Sequence, residues 1–186
     1  MTSPLDAVDW PVQTERLVLR RLADGDVARI FAYRSQPHVA EWIGGLATDV
    51  GSLAERFGEG ADAVMVEHDG RLIGDLMVKV QDGYAQREVS ELAVGSEAEL
   101  GWTFDPAHHG QGFATEAIRE LLRICFDDLG IRRLIAICFT ANETSWRLME
   151  RLGMRREARH VKESLHRDHG WQDAYVYALL ADEWRS

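Results

Sequence analysis

The residues best placed to do chemistry lie where His109-Gly110-Gln111-Gly112-Phe113-Ala114 runs directly into the helical pattern Thr115 to Leu129. A glycine-rich turn before a helix leaves backbone N–H groups unpaired and aims them, with the positive end of the helix dipole, at one point. That point suits a phosphate or diphosphate. Gly110 and Gly112 permit close backbone approach, Ala114 is expected to seat the helix end against a sheet, and Gln111, Phe113 and Thr115 are expected to supply N–H groups. A nicotinamide-dinucleotide fingerprint would need a third glycine where Thr115 stands and an acidic residue closing the next strand, and a nucleotide P-loop would need Gly-Lys-Ser/Thr. The chain has neither.

The elements around this turn follow from periodicity and punctuation. Leu17-Val18-Leu19 reads as a short strand, and Asp24 or Asp26 as the cap of a helix through Ile30, Phe31 and Tyr33. A short helical stretch spans His38 to Trp42, Gly44-Gly45 breaks it, and Thr48-Asp49 starts another helix through Leu53 and Phe57. Ala63 to His68 and Leu72 to Val80 flank Asp69-Gly70, a hairpin signal, because Asp-Gly accepts positive φ. Gln81 to Gly95 has little periodicity and precedes the strand Ala98 to Phe104. In the helix after the loop, Ile118, Leu121, Leu122, Cys125 and Leu129 fall at helical spacing and Gly130 ends the run. Leu134 to Phe139 is almost unbroken apolar sequence, which predicts burial on both faces. Asn142 caps a helix through Trp146 and Met149 that stops at Gly153, and a final antiparallel pair turns near Gly170 and returns along Ala174 to Leu180. This order predicts one domain over residues 1–186, of α+β (mixed α/β) class.

Composition narrows the function. With 31 acidic against 21 basic residues and a formal charge of −10, the chain lacks the clustered Lys and Arg that nucleic acid requires, and its field favours cations such as amines. Two cysteines form neither a disulfide framework nor a metal set; Cys125 and Cys138 read as small core residues, and a reducing compartment is expected. His108 and His109 suit no helical zinc motif, so no metal is expected. The start Met-Thr-Ser-Pro-Leu-Asp has no charged and apolar targeting pattern, and no segment has membrane-spanning length, which predicts a soluble cytoplasmic protein without a membrane partner.

The loop resembles the Gln/Arg-X-X-Gly-X-Gly/Ala diphosphate loop of the GCN5-related N-acetyltransferases (GNAT), with Gly112 and Ala114 in the two small positions and His109 standing where Gln or Arg is usual. Thr14-Glu15-Arg16-Leu17-Val18-Leu19-Arg20, Glu99-Leu100-Gly101-Trp102, and Asn142-Glu143-Thr144-Ser145 leading into Leu152-Gly153-Met154 are similar to the RimJ/RimL branch, which acetylates ribosomal-protein alanine. The resemblance covers most of the chain. It implies a central mixed, mostly antiparallel sheet flanked by helices and splayed around acetyl-coenzyme A (acetyl-CoA), with the cofactor between the Glu99 and Leu134 strands.

It also implies an acetyl-CoA-dependent N-acetyltransferase in which an amine attacks directly within a ternary complex, and it assigns roles. Backbone N–H groups among Trp102, Thr103 and Phe104 would meet the thioester carbonyl, and His109 would assist the phosphates. Asn142 would serve as helix cap and pantetheine contact, with Arg147 and Arg151 on the same helix able to reach the phosphates. Glu99 is the expected base, acting directly or through water. Ser145 is the expected acid and a cofactor contact, because Met149 occupies the position where many members carry a tyrosine. His38, Glu41 and Trp42, with His166, His169 and Trp171, are expected at the acceptor pocket. A protein N-terminal α-amine, with a pKa of about 8 against ~10.4 for lysine, asks least of a base and is the expected acceptor. A small-molecule amine (antibiotic, polyamine or amino-acid derivative) is the alternative substrate, and a non-catalytic acyl-CoA-binding regulatory module, encouraged by Met149, is the alternative class. The resemblance allows a homodimer, but no surface stripe marks an interface.

Overall fold

The structure is a computed structural model that describes residues 3–57 and 62–185; Met1 and Thr2, part of the start considered above, lie outside the described residues. The fold is mixed α+β, and the chain divides into two compact units, Met1–Val78 with Trp102–Ile124, and Lys79–Gly101 with Cys125–Ser186.

In the first unit, β1 (Val12–Gln13), β2 (Val18–Arg21), β3 (Ala63–His68) and β4 (Arg71–Gln81, which continues into the second unit) pair antiparallel in sequence. The β3–β4 turn is the Asp-Gly hairpin, with Asp69 at φ 50° and Gly70 at φ 71°. Helices α1 (Asp26–Arg34), α2 (Pro37–Ala40) and α3 (Val50–Arg56) lie between β2 and β3. Their apolar positions meet the sheet in a core of Ile30, Tyr33, Leu53, Ala63, Met65 and Leu72.

Two caps differ in an instructive way. Asp49 caps α3 as expected, accepting from the Ser52 N–H at 2.8 Å. The N-cap of α1, however, is Gly25 at φ 86°, neither Asp24 nor Asp26. Asp26 is the first helical residue, and its carboxylate is taken by Arg20 and the Ala23 N–H. A second buried carboxylate, Asp75, accepts from the Tyr33 hydroxyl and from Arg34, so the burial of each charge is compensated.

In the second unit, β5 (Glu97–Phe104, whose last residues belong to the first unit) runs parallel to β6 (Arg133–Phe139). β6 pairs antiparallel with β8 (Gly170–Leu180), which pairs with β7 (Arg155–His166). Helix α5 (Glu143–Arg151) packs on β6, β7 and β8, and α6 (Ala181–Trp184) follows β8. The C-terminus of α5 closes as a Schellman motif: Met154 N–H donates to the Met149 carbonyl and Gly153 N–H to that of Glu150, with Gly153 at φ 83°.

The β5–β6 pairing ends at Glu99 and Ile135, although β6 runs on to Phe139. This is the splay the resemblance implied. One expectation is corrected: Leu134 to Phe139 is not buried throughout, because Ile137 is 45% exposed, so the strand is not covered on both faces along its length.

Candidate functional site

The loop belongs to the first unit. Asp105 starts it, its N–H donating to the Ile73 carbonyl at 2.8 Å and its carboxylate accepting from the Ala107 N–H at 3.0 Å. Gly110 and Gly112 both adopt the left-handed conformation, at φ 75° and 83°, and no atom lies within 4 Å of where a Gly110 Cβ would stand. Gly112 is the N-cap, so helix α4 (Phe113–Arg123) begins two residues before the expected Thr115. Its first i→i−4 bond runs from the Glu116 N–H to the Gly112 carbonyl at 3.1 Å. The first-turn donors without such a bond are therefore Phe113, Ala114 and Thr115, so Ala114 joins the expected Phe113 and Thr115. Among the described residues the N–H groups of Gly110, Gln111 and Gly112 meet no acceptor either. A run of unpaired backbone donors at a helix start fits a diphosphate.

Neighbouring side chains modify the expected picture. Phe113, 4% exposed and 4.4 Å from the His68 ring, seats the helix end, and Ala114 is half-buried. His109 turns back toward β5, with Nε2 3.2 Å from the Phe104 carbonyl, and donates there as the Nε2–H tautomer. Thr103 and Phe104 are buried and Trp102 is half-buried. Gly74 lies directly under this strand end, since a Cβ there would stand 2.5 Å from the Phe104 ring and 2.9 Å from the Thr103 carbonyl.

Sequence reasoning missed Arg16 and Thr14, which grip the loop. Arg16 Nη1 donates to the Gln111 carbonyl at 3.0 Å, and its Nε donates to Glu116 at 2.7 Å. Thr14 donates to the same carboxylate at 2.6 Å. In this unit His38 is exposed and Trp42 and Glu41 are half-buried. A cavity of about 150 Å³ opens nearby, lined by Phe31, Arg34, Ile43, Leu46 and Leu53 among others, but by neither His38 nor Trp42.

The second unit holds the titratable candidates. Glu99 is half-buried on the last paired rung of β5, and its carboxylate has no hydrogen-bond or ion-pair partner among the described residues. Glu97, two residues earlier on the same face, is instead consumed by Arg133 and by Gln81 Nε2 at 2.7 Å.

On α5, Asn142 Oδ1 accepts from the Ser145 N–H at 3.2 Å, which leaves its amide NH₂ without an acceptor among the described residues. The Ser145 side chain lies close enough to the Cys138 thiol to influence its titration. Burial pushes that thiol up to about 11, an effect Ser145 partly opposes, and burial with the nearby Asp128 pushes Cys125 up to about 12. Neither is a thiolate nucleophile near neutrality. Met149 is 1% exposed and is a core residue of α5.

Arg147 is exposed, paired to Glu143 at 2.8 Å, and lies over the Trp146 ring. On the other side of that cluster Arg156 sits 3.9 Å from the Tyr175 ring centroid and donates to the Tyr177 hydroxyl at 2.9 Å, pinning α5 to β7 and β8. Trp171 is 58% exposed. His166 is 3% exposed, and its Nδ1 accepts from the Asp168 and His169 N–H groups at 3.1 and 3.3 Å, so it shapes the β7–β8 turn. Among the described residues no group of three or more His, Cys, Asp or Glu could hold a metal ion, and no helix is long and apolar enough to cross a membrane.

Comparison with known proteins places this geometry. The model of the acetyltransferase (GNAT) domain matches residues 16–155. The uncharacterised N-acetyltransferase YnaD of Bacillus subtilis is 29% identical over 179 residues, covering 93% of this chain and 98% of its own. Two solved structures share the fold. Mycobacterium smegmatis RimJ in complex with CoA-disulfide has a TM-score of 0.75 at 23% identity and covers 98% of this chain and 91% of its own. Spermidine N-acetyltransferase from Vibrio cholerae, in complex with CoA and spermine, has a TM-score of 0.77 at 21% identity, with coverages of 93% and 100%. With the loop, the splayed strands and a family match over most of its length, this chain belongs to the GNAT acetyltransferase family.

Proposed function

We propose that the chain, acting as one N-acetyltransferase domain in the cytoplasm, transfers the acetyl group of acetyl-CoA to a primary amine, the α-amine of a protein N-terminus. Acetyl-CoA supplies the activated thioester. Backbone donors from Gly110 to Thr115 would take its diphosphate, and the free Asn142 amide its pantetheine arm. Glu99 removes a proton from the ammonium group, directly or through water, so that the neutral nitrogen forms the N–C bond while the C–S bond breaks. A backbone N–H of Trp102, Thr103 or Phe104 stabilises the carbonyl oxygen as it becomes negative. As the tetrahedral adduct collapses, its nitrogen loses its second proton to solvent and the departing thiolate takes one from solvent or from Ser145; a thiol pKa near ~8.5 lets it leave without a strong acid.

The observation that carries this reading is the contrast between Glu97, fully paired, and Glu99, half-buried and unpartnered on the same strand face. A single carboxylate is matched to an α-amine of pKa about 8 better than to a lysine at ~10.4. The formal charge of −10 favours a second acceptor class, polyamines, by attracting polycations. A CoA-release assay with acetyl-CoA tests both, run against peptides beginning Ala, Ser or Met, polyamines, aminoglycosides and free amino acids. Turnover confined to the peptides supports the first reading; turnover confined to spermidine or spermine replaces it with the second.

A further inference from the structure

We infer that Arg16, held by Glu116 and Thr14, is a positioning residue that orients the diphosphate loop, an inference that rests on the acetyl-CoA reading above. Glu116 is the fourth residue of the helix whose N-terminus would meet a dianionic group, and the chain is already strongly acidic. Its carboxylate does not face an anion unopposed. One oxygen accepts from Thr14 Oγ1 at 2.6 Å and the Arg16 N–H at 2.8 Å, and the other from Arg16 Nε at 2.7 Å with Nη2 also at 2.7 Å. Burial raises the Glu116 pKa, but these donors outweigh it and hold the carboxyl below its usual range.

Arg16 then reaches past Glu116. Its guanidinium lies 4.7 Å from the Phe113 ring centroid, and Nη1 donates to the Gln111 carbonyl at 3.0 Å. A trans peptide directs its C=O and the next N–H to opposite sides, so fixing the Gln111 carbonyl toward Arg16 turns the Gly112 N–H away from it. The next carbonyl, that of Gly112, is fixed by the Glu116 N–H at 3.1 Å. The carbonyls of Gln111 and Gly112 are therefore both held, and the Gly112 N–H between them is left to bind. Residues 14–16 thus set the donor geometry of a loop some 95 positions later in the chain.

Comparing two acetyl donors tests this, because S-acetylpantetheine has the thioester but no diphosphate. With acetyl-CoA, Arg16→Met raises KM about tenfold with kcat at saturation unchanged, as expected for one charge-assisted interaction. With S-acetylpantetheine, kcat/KM stays within about twofold of wild type. Arg16→Lys keeps the charge but cannot bridge Glu116 and Gln111, and is expected to raise the acetyl-CoA KM about threefold; Glu116→Gln does the same and carries the test with it if Arg16→Met does not fold by circular dichroism. Equal losses with both donors, or none with acetyl-CoA, overturn the inference. Wild type that neither binds CoA nor uses acetyl-CoA overturns the underlying reading instead, before any variant is made.

Discussion

Asn142 carries two separable roles, and one pair of substitutions divides them. Its Oδ1 satisfies the Ser145 N–H at 3.2 Å while its NH₂ group stays free among the described residues. Asn142→Ala removes both functions. Loss of an N-cap costs about 1 kcal/mol, which for a chain of this length lowers Tm by about 2–4 °C. Asn142→Asp keeps the capping oxygen, and a carboxylate suits a helix N-terminus, so Tm stays within about 1 °C of wild type. It replaces the free donor with an acceptor, however, and the loss of one buried hydrogen bond, about 1–1.5 kcal/mol, raises the KM for acetyl-CoA roughly tenfold. Thermal unfolding and steady-state kinetics on the two variants give the readouts. If Asn142→Asp matches wild type in both, Asn142 is only a cap and its assigned cofactor contact is wrong.

Other expectations follow from the same structure. Gly74→Ala would drive a Cβ into the Phe104 ring and Thr103 carbonyl and should cost about 1–3 kcal/mol in urea unfolding, with reduced activity because it disturbs the strand end preceding the loop. Asp75→Asn leaves the Arg34 charge without its buried partner and should cost about 3–5 kcal/mol by the same measurement. Burial raises the Asp26 pKa, but Arg20 and the Ala23 N–H reverse this and hold it below its usual value. The folded pKa is below the unfolded one, so the stabilisation is complete above about pH 5 and is lost as pH falls through the unfolded and then the folded value; Asp26→Asn should flatten the decline of the urea midpoint below about pH 5. Native protein at pH 8 should react slowly with a thiol reagent at Cys125 and Cys138, whose thiols are pushed up to about 12 and 11, and both should react once it is unfolded.

The features legible in the sequence are those whose cause is local. Asp69-Gly70 announces its hairpin because the turn needs positive φ at both residues, and Asn142 and Gly153 bracket α5 because cap chemistry is confined to one turn at each end. The loop was recognisable for the same reason, yet its helix start was misplaced: Gly112 serves as an N-cap through its backbone conformation alone, without a capping side chain. Arg16 could not be read from any local pattern, since its partners Gln111 and Glu116 are distant in the chain and its exposed-looking sequence position gives no periodic signal. A charged residue in the first turn after the loop was the available clue, for Glu116 beside an anion site demands a counter-charge. The exposure of Ile137 is not legible for the opposite reason, because an apolar run reads the same whether or not a distant element covers its face.

The most direct test of the central claim is the pH–rate profile of Glu99→Gln against wild type with the peptide acceptor that wild type turns over. With Glu99 as the base, the variant binds CoA as wild type does, loses about 100-fold or more in kcat/KM for the amine near pH 7, and recovers as pH rises past the amine pKa and the acceptor deprotonates unaided. A variant with wild-type rates across the profile would contradict the assignment of Glu99 and the mechanism built on it.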